Sequence, residues 1–364
     1  MIISDYRKIT VKIGSNVLTK DDGTLNVARI AHLVDQMAAL HEQGVEIILV
    51  SSGAVAAGKQ EIKIRKKMDP VSERQLCSAI GQVKLINRYT DFFREHHLLC
   101  AQILTTKDNF SDREHYLNMK NCISTLLENK VIPIVNENDA ISVTELMFTD
   151  NDELSGLIAS MQNSDALILL SNIDGLYDGN PENRNSKVIR DIEPSDRKWQ
   201  KHISTQKSGF GRGGMLTKSA IARKVAKEGI PVYIANGLHD NILTQLMEQD
   251  NNVTRTLFKP DQHKSSTIKK WIAYSSSFAK GELTVNRGAE EALFSPKSTS
   301  LLPVGVTQVK GTFRKGDIIK IKNETHQLIG WGKAQYGSEK VTRELESNHQ
   351  RPIVHYDYLY LIDN

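Results

Sequence analysis

The 364-residue sequence is poor in cysteine, and Cys77, Cys100 and Cys122 have no spacing that a metal site or a disulfide framework uses. All three stand in apolar-periodic surroundings, so they read as buried or half-buried thiols in a reducing compartment. Nowhere do about 18 apolar residues run together, which excludes a membrane-spanning helix. The first residues, MIISDYRKITVKIG, turn charged before any apolar run of signal length, and the expectation is a cytoplasmic protein. Long low-complexity and single-sign charge runs are missing too, which excludes wholesale disorder. The net charge of +4 is spread along the chain, and the basic run KIRKK at 63–67 reads as a solvated loop more readily than as a nucleic-acid patch. A Walker phosphate loop is also lacking. In the glycine-rich stretch SGFGRGGMLTK (208–218), Thr217 rather than a glycine precedes Lys218, and DRKWQKHISTQKS (196–208) ahead of it is too polar for a buried strand.

What is present is globular, with 39% hydrophobic and 25% charged residues, on a chain long enough for two domains. From residue 9 to about 258, short β-branched runs alternate with 3.6-periodic segments, the pattern of a mainly parallel sheet sandwiched by helices. The strands expected are ITVKI (9–13), VEIILV (45–50), LLCAQIL (98–104), VIPIV (131–135), ALILL (166–170) and IPVYIA (230–235), most of them apolar throughout as doubly covered strands are. One helix is expected over 27–41, with Asn26 as N-cap, Gly44 as stop, and Val27, Ile30, Val34, Met37 and Ala38 facing the core. A second opens on a Ser72-x-x-Gln75 capping box and directs Leu76, Ile80, Val83 and Ile86 inward. After Phe258 the rhythm changes to polar residues and then to short strands broken by glycine turns. The expected domains are 1–258, a linker at 259–267, and a small β-rich domain over 268–364.

In open α/β sheets ligands bind at the carboxyl ends of the strands, and there this sequence collects small and polar residues. Strand one runs into Lys12, Gly14 and Ser15, strand two into SSGA (51–54), the fourth into NENDA (136–140), the fifth into SNIDGLY (171–177) and the sixth into Asn236 and Gly237. Each alone also fits an ordinary loop. Together with DND (150–152) they point to a site. The glycines at 209, 211, 213 and 214 let backbone amides converge on an anion ahead of a helix expected near Thr217, with Ala220, Ile221, Val225 and Ala226 on its buried side. Lys218 would add a full charge in its first turn; a flexible loop remains the other reading of this stretch.

VKIGSNVL (11–18), LVSSGAVAAG (49–58), IPIVNENDA (132–140), DNDELSGLIA (150–159), DGLY (174–177) and GRGGMLTK (211–218) resemble, in this order, the amino acid kinase family. Within it they are most similar to the members that phosphorylate the γ-carboxylate of L-glutamate. GELTVNRGAEEAL (281–293) and SLLPVGVTQVKGTFRKGD (300–317) resemble the PUA domain, so the resemblance covers nearly the whole chain. It implies that Lys12 and Lys218 neutralise the transferring phosphoryl group while Asp152 holds them, and that Ser52, Asp139 and Asn151 bind glutamate. It further implies that Gly14, Ser171, Asn172, Arg212, Gly213, Gly214, Met215, Leu216 and Thr217, with the two lysines, contact the nucleotide. ATP would be the phosphoryl donor with Mg²⁺ bridging its phosphates, no protein residue being assigned to the metal. The resemblance also implies a homo-oligomer (dimer or tetramer), the first step of proline biosynthesis, and feedback by proline involving residues 60–75.

The chemistry is consistent with that assignment. A glutamate side chain, with a pKa of about 4.3, is already a nucleophile at neutral pH, so none of the eleven histidines needs a role. Asp139 suits a free α-ammonium and speaks against an N-acylated substrate, its other reading being a cap on the following segment. Asn172, Arg212 and Asn180 depart from the family's usual aspartate, threonine and aspartate, and Arg255 stands in place of a glycine. Two further readings stay open: another carboxylate or phosphate kinase of this fold, and RNA binding through the C-terminal domain. Against the latter, Lys310, Arg314, Lys315, Lys320 and Lys322 are mixed with Asp317 and Glu324.

Overall fold

The computed structural model describes residues 6–63, 68–142, 150–181, 183, 185–196, 199, 214–248, 253–261, 272, 279–295, 299–345 and 351–362. The chain divides into two compact units, Met1–Asn109 with Arg113–Lys264, and Phe110–Asp112 with Ser265–Asn364. Residues 262–267 of the expected linker lie outside the described residues.

The first unit is built on an eight-stranded sheet in the order β3-β4-β2-β1-β5-β7-β8-β6. Its strands are β1 (Lys8–Ile13), β2 (Glu46–Ser51), β3 (Leu99–Thr105), β4 (Val131–Glu137), β5 (Ala166–Ser171), β6 (Asp191–Ile192), β7 (Val232–Asn236) and β8 (Arg255–Phe258). The pairs from β3 across to β7 are parallel, and β8 runs antiparallel to β7. The helices are α1 (Ser15–Leu18), α2 (Val27–Glu42), α3 (Ala54–Glu61), α4 (Pro70–Glu95), α5 (Asp108–Ser111), α6 (Arg113–Glu128), α7 (Asn151–Gln162), α8 (Met215–Lys227) and α9 (Ile242–Leu246). Residues such as Ile9, Val11, Ile47, Leu49, Ile168 and Leu170 are fully buried, as expected of strands covered on both faces. β3 departs from that pattern because it forms the sheet edge, and Leu99 is 70% exposed. β1 sits at the centre with β2 on one side and β5 on the other, so the chain leaves the middle of the sheet in both directions. That switch of direction opens a crevice at the carboxyl ends of β1, β2 and β5.

α2 starts as expected, with Asn26 accepting from the Arg29 amide at 3.2 Å, and ends into Gly44 at φ +87°. α4 begins earlier than its expected capping box. Asp69 caps it by accepting from the amides of Val71 and Ser72, and Pro70 supplies the first helical φ. Its inward face also differs. Cys77, Ser78, Gly81, Gln82, Leu85, Tyr89 and Phe93 are buried, whereas Leu76, Ile80 and Ile86 are only half-buried and Val83 is exposed. The cause is α3, which lies directly on α4. A Cβ on Gly58 would fall 1.8 Å from the Cys77 carbonyl oxygen, and one on Gly81 1.7 Å from that of Ala54. The two backbones touch there, and the smallest residues rather than the most apolar ones select the face. Among the thiols, Cys77 is buried and Cys100 half-buried, but Cys122 on α6 is exposed, contrary to expectation. Among the described residues no helix is long and apolar enough to cross a membrane.

The second unit carries a five-stranded sheet in the order β10-β9-β11-β12-β13. Its strands are β9 (Gly281–Val285), β10 (Val306–Lys310), β11 (Ile318–Lys322), β12 (Leu328–Lys333) and β13 (Leu359–Leu361). β9 and β11 pair in parallel and the other neighbours antiparallel. Leu283, Val285, Phe313, Ile319, Ile321, Ile329 and Val354 form its core. Of the basic residues considered for RNA, Lys320 and Lys322 both pair with Glu282, at 3.7 and 2.6 Å.

Candidate active site

The crevice at the switch point is a cavity of about 930 Å³. Two buried lysines meet in its wall. Lys12 extends from β1, Lys218 is the fourth residue of α8, and Asp152 is the second residue of α7. Asp152 bridges them, with Oδ1 2.5 Å from Lys12 Nζ and Oδ2 2.7 Å from Lys218 Nζ. All three are buried. Burial alone would raise the Asp152 carboxyl, but the charges of Lys12 and Lys218 outweigh it and hold the group well below the usual carboxylate range. Burial pulls the Lys218 ammonium down; Asp152 opposes that pull and Lys12 adds to it.

Asp150 precedes α7 and caps it, its Oδ1 accepting from the amides of Asp152 and Glu153 at 2.8 and 3.1 Å. Its other oxygen is buried in the cavity wall and has no hydrogen-bond partner among the described residues. Burial, then the charge of Asp152, push the Asp150 carboxyl up to about 6 against the pull of the two lysines. Neighbouring aspartates thus titrate in opposite directions because only one of them sits between the cations.

On the β2 and β4 side the wall is an amide and hydroxyl net. Asn151 Nδ2 donates to the Ser51 carbonyl (2.9 Å), Ser52 Oγ (3.0 Å) and Asn136 Oδ1 (2.9 Å). Asn136 in turn donates to Gln82 Oε1 at 3.3 Å, and Ser51 Oγ pairs with the buried Tyr89 hydroxyl at 2.9 Å. Gly53, at φ +100°, takes the left-handed turn that carries Ser52 into the start of α3. Among the described residues Asp139 accepts from Arg74 and from no backbone amide. Arg74 donates to its Oδ1 from Nε (2.9 Å) and Nη2 (2.6 Å), and Glu137 Oε2 stands 3.6 Å from the same Nη2.

On the β5 side, Gly14 donates its amide to the Leu170 carbonyl at 3.1 Å, and a Cβ there would fall 3.1 Å from that same oxygen. The turn from β1 therefore lies against the end of β5. Ser171, Asn172, Asn180, Gly214 and Met215 line the cavity. α8 starts at Met215, two residues earlier than expected, with Gly214 as an N-cap that contributes no side chain. Leu216 is 47% exposed, and neither it nor Thr217 lines the cavity. Ala220, expected on the buried side of the helix, is exposed. Arg212 and Gly213 lie outside the described residues.

Lys12, Gly14, Ser52, Asp139, Asn151, Asp152, Ser171, Asn172, Gly214, Met215 and Lys218 thus come together around one cavity. Arg74, Asn136, Glu137 and Asp150 join them without having been assigned from sequence. The last three stand inside NENDA and DND, so the signal was there. Arg74 lies inside a long helix with no mark of its own. A wall with two ammonium groups on one side, a capped helix start beside them and a carboxylate-rich polar pocket on the other can hold a polyphosphate against an amino acid.

Residues 7–236 match the family model of the amino acid kinase family, and residues 281–350 that of the PUA domain. A glutamate 5-kinase from Bacteroides thetaiotaomicron is 56% identical over 357 residues, covering 98% of this chain and 99% of its own length. A glutamate 5-kinase from Chlorobaculum tepidum is 47% identical, with 98% of both chains covered. A solved structure of a carbamate kinase from Giardia lamblia bound to AMP-PNP shares the fold, with TM-score 0.51 at 18% identity over 71% of this chain and 100% of that one. The chain belongs to the amino acid kinase family, and its C-terminal part carries a PUA domain.

Proposed function

We propose that the protein transfers the γ-phosphoryl group of ATP to the γ-carboxylate of L-glutamate, giving γ-glutamyl 5-phosphate and ADP, the first step of proline biosynthesis. The observation that carries this reading is the lysine pair on one carboxylate, Lys12–Asp152–Lys218, at the switch point of a chain that matches glutamate 5-kinases along nearly its whole length. Those relatives do not favour the readings as another carboxylate kinase or an RNA-binding protein.

The glutamate oxygen attacks the γ-phosphorus, the bond to the β,γ-bridging oxygen breaks, and ADP leaves with that electron pair. The nucleophile is already anionic, so no residue removes a proton. Lys12 and Lys218 draw charge off the phosphoryl oxygens as they spread in the transition state. Asp152 keeps the two ammonium groups together against their repulsion. The first-turn amides of α8 point at the phosphates with the positive end of the helix. Ser52, Asn151 and Asp139 hold the glutamate. Ser171, Asn172, Gly214, Met215 and Lys218 contact the nucleotide.

Mg²⁺ bound to the ATP phosphates would supply further neutralisation of the migrating group. Among the described residues no group of three His, Cys, Asp or Glu side chains could hold a metal. The unpartnered buried oxygen of Asp150 fits a cation or its waters, so Asp150 is the residue that would hold the ion. A cytoplasmic homo-oligomer restrained by proline completes this reading.

Hydroxylamine traps acyl phosphates. The reading predicts hydroxamate formation from L-glutamate and ATP, with little from L-aspartate or N-acetyl-L-glutamate; equal rates with all three would contradict it. Proline titrated at subsaturating glutamate should lower the rate, and an unchanged rate would remove proline from the account.

A further inference from the structure

The mechanism leaves Arg74, a charged residue of the cavity, without a task. Arg74, on the second turn of α4, lines the cavity with 24% of its side chain exposed. It grips Asp139 side-on, Nε and Nη2 both donating to the same oxygen. A guanidinium has five N–H donors in a rigid fork, and this grip uses one edge of it. Nη1 makes no bond among the described residues, and Asp139 Oδ2 accepts none. A cation and an anion therefore stand side by side in the wall, each with an unused face. Glu137 Oε2, 3.6 Å from Nη2, adds a second carboxylate to the cluster. A ligand presenting adjacent ammonium and carboxylate groups is matched on both unused faces.

We propose that Arg74 is a specificity-determining residue that binds the α-carboxylate of the substrate through Nη1, while Asp139 Oδ2 takes the neighbouring α-ammonium. This rests on the glutamate reading of the cavity and deepens it: the pair recognises the amino-acid head group as a zwitterion. If Arg74 served only to position Asp139, its loss would weaken every substrate that carries the ammonium group, whatever the charge on the α-carboxyl.

L-glutamate and its α-amide separate the two cases, since the amide keeps the γ-carboxylate, the ammonium and nearly the same shape but loses the α-charge. We expect the wild type to prefer L-glutamate over the amide in kcat/KM by about 100-fold, the scale of a charge-assisted hydrogen-bonded contact. Arg74→Gln should raise KM for L-glutamate by about 30-fold or more at a kcat within about threefold, and should cut the preference below about fivefold. Arg74→Lys keeps the charge without the fork and should retain part of the preference; it carries the test if the glutamine variant fails a thermal-melting check. Equal losses on both substrates, with the preference intact in either variant, would overturn the assignment to Arg74 and leave the functional reading standing. A wild type that forms no hydroxamate from L-glutamate would overturn both.

Discussion

On the β1 and β5 side of the cavity one carboxylate serves two cations, and on the β4 side one cation serves two carboxylates. Lys12–Asp152–Lys218 is a buried cluster with a positive surplus. Glu137–Arg74–Asp139 is its inverse in arrangement, with a partly exposed cation between two carboxylates. Under the proposed function, phosphate meets the first and an ammonium-bearing head group the second. The shared member differs in burial: Asp152 is fully enclosed, while Arg74 is partly exposed between two buried carboxylates. Removing either strands buried charge.

Breaking the first cluster should have the largest effect. Asp152→Asn leaves two buried ammonium groups facing a neutral amide, with an expected loss of about 3–5 kcal/mol in denaturant unfolding and about 10³-fold in kcat. A variant of normal stability and activity would remove Asp152 from its place at the centre. On the other side, Asn151→Ala cuts the net that ties Ser51, Ser52 and Asn136 together. KM for glutamate should rise about tenfold or more with kcat changed less; the reverse split would assign Asn151 to the phosphoryl side.

The two aspartates flanking Asn151 sharpen the comparison through pH. The Asp152 carboxyl is held low in the folded state, so its contribution to stability is present above the usual carboxyl range and is lost as pH falls. The Asp150 carboxyl is raised to about 6, so its contribution is present at acid pH and is lost as pH rises from about 4 through about 6. Asp150→Asn should therefore stabilise the fold above pH 6, by about 1–3 kcal/mol, since asparagine caps a helix equally well. Denaturant unfolding of variant and wild type at pH 4 and pH 8 checks this, and an equal stability difference at both would contradict it. The smallest effect is expected far from either cluster: Glu282→Gln in the second unit removes partly exposed pairs with Lys320 and Lys322 and should shift stability by less than about 1 kcal/mol with kinase activity unchanged.

Much of this was legible in the sequence, for a physical reason. Parallel strands must be apolar along their length and must end in groups that can meet a ligand, so β1, β2, β4, β5 and β7 mark both themselves and the rim, with Lys12, Ser52 and Asp139 at or just past their ends; the individual roles, and Asn151 at the start of α7, came from the family resemblance. The face of a helix carries no such mark. The inward side of α4 is chosen by backbone contact at Gly58 and Gly81, and an apolar count therefore selects Val83, which is exposed, over Gly81, which is buried. Arg74, on the same helix, is recognisable only once α4 is placed against the end of β4. α8 was read two residues late because its cap is a glycine, which has no side-chain signature.

The central claim is that two ammonium groups on one carboxylate neutralise a migrating phosphoryl group. Lys218→Met, which keeps the length of the side chain and deletes its charge, tests this most directly in single-turnover hydroxamate assays at saturating ATP and glutamate. The account predicts a rate lower by about 10³-fold with the glutamate KM within about threefold. An unchanged rate, or a loss confined to the glutamate KM, would contradict it.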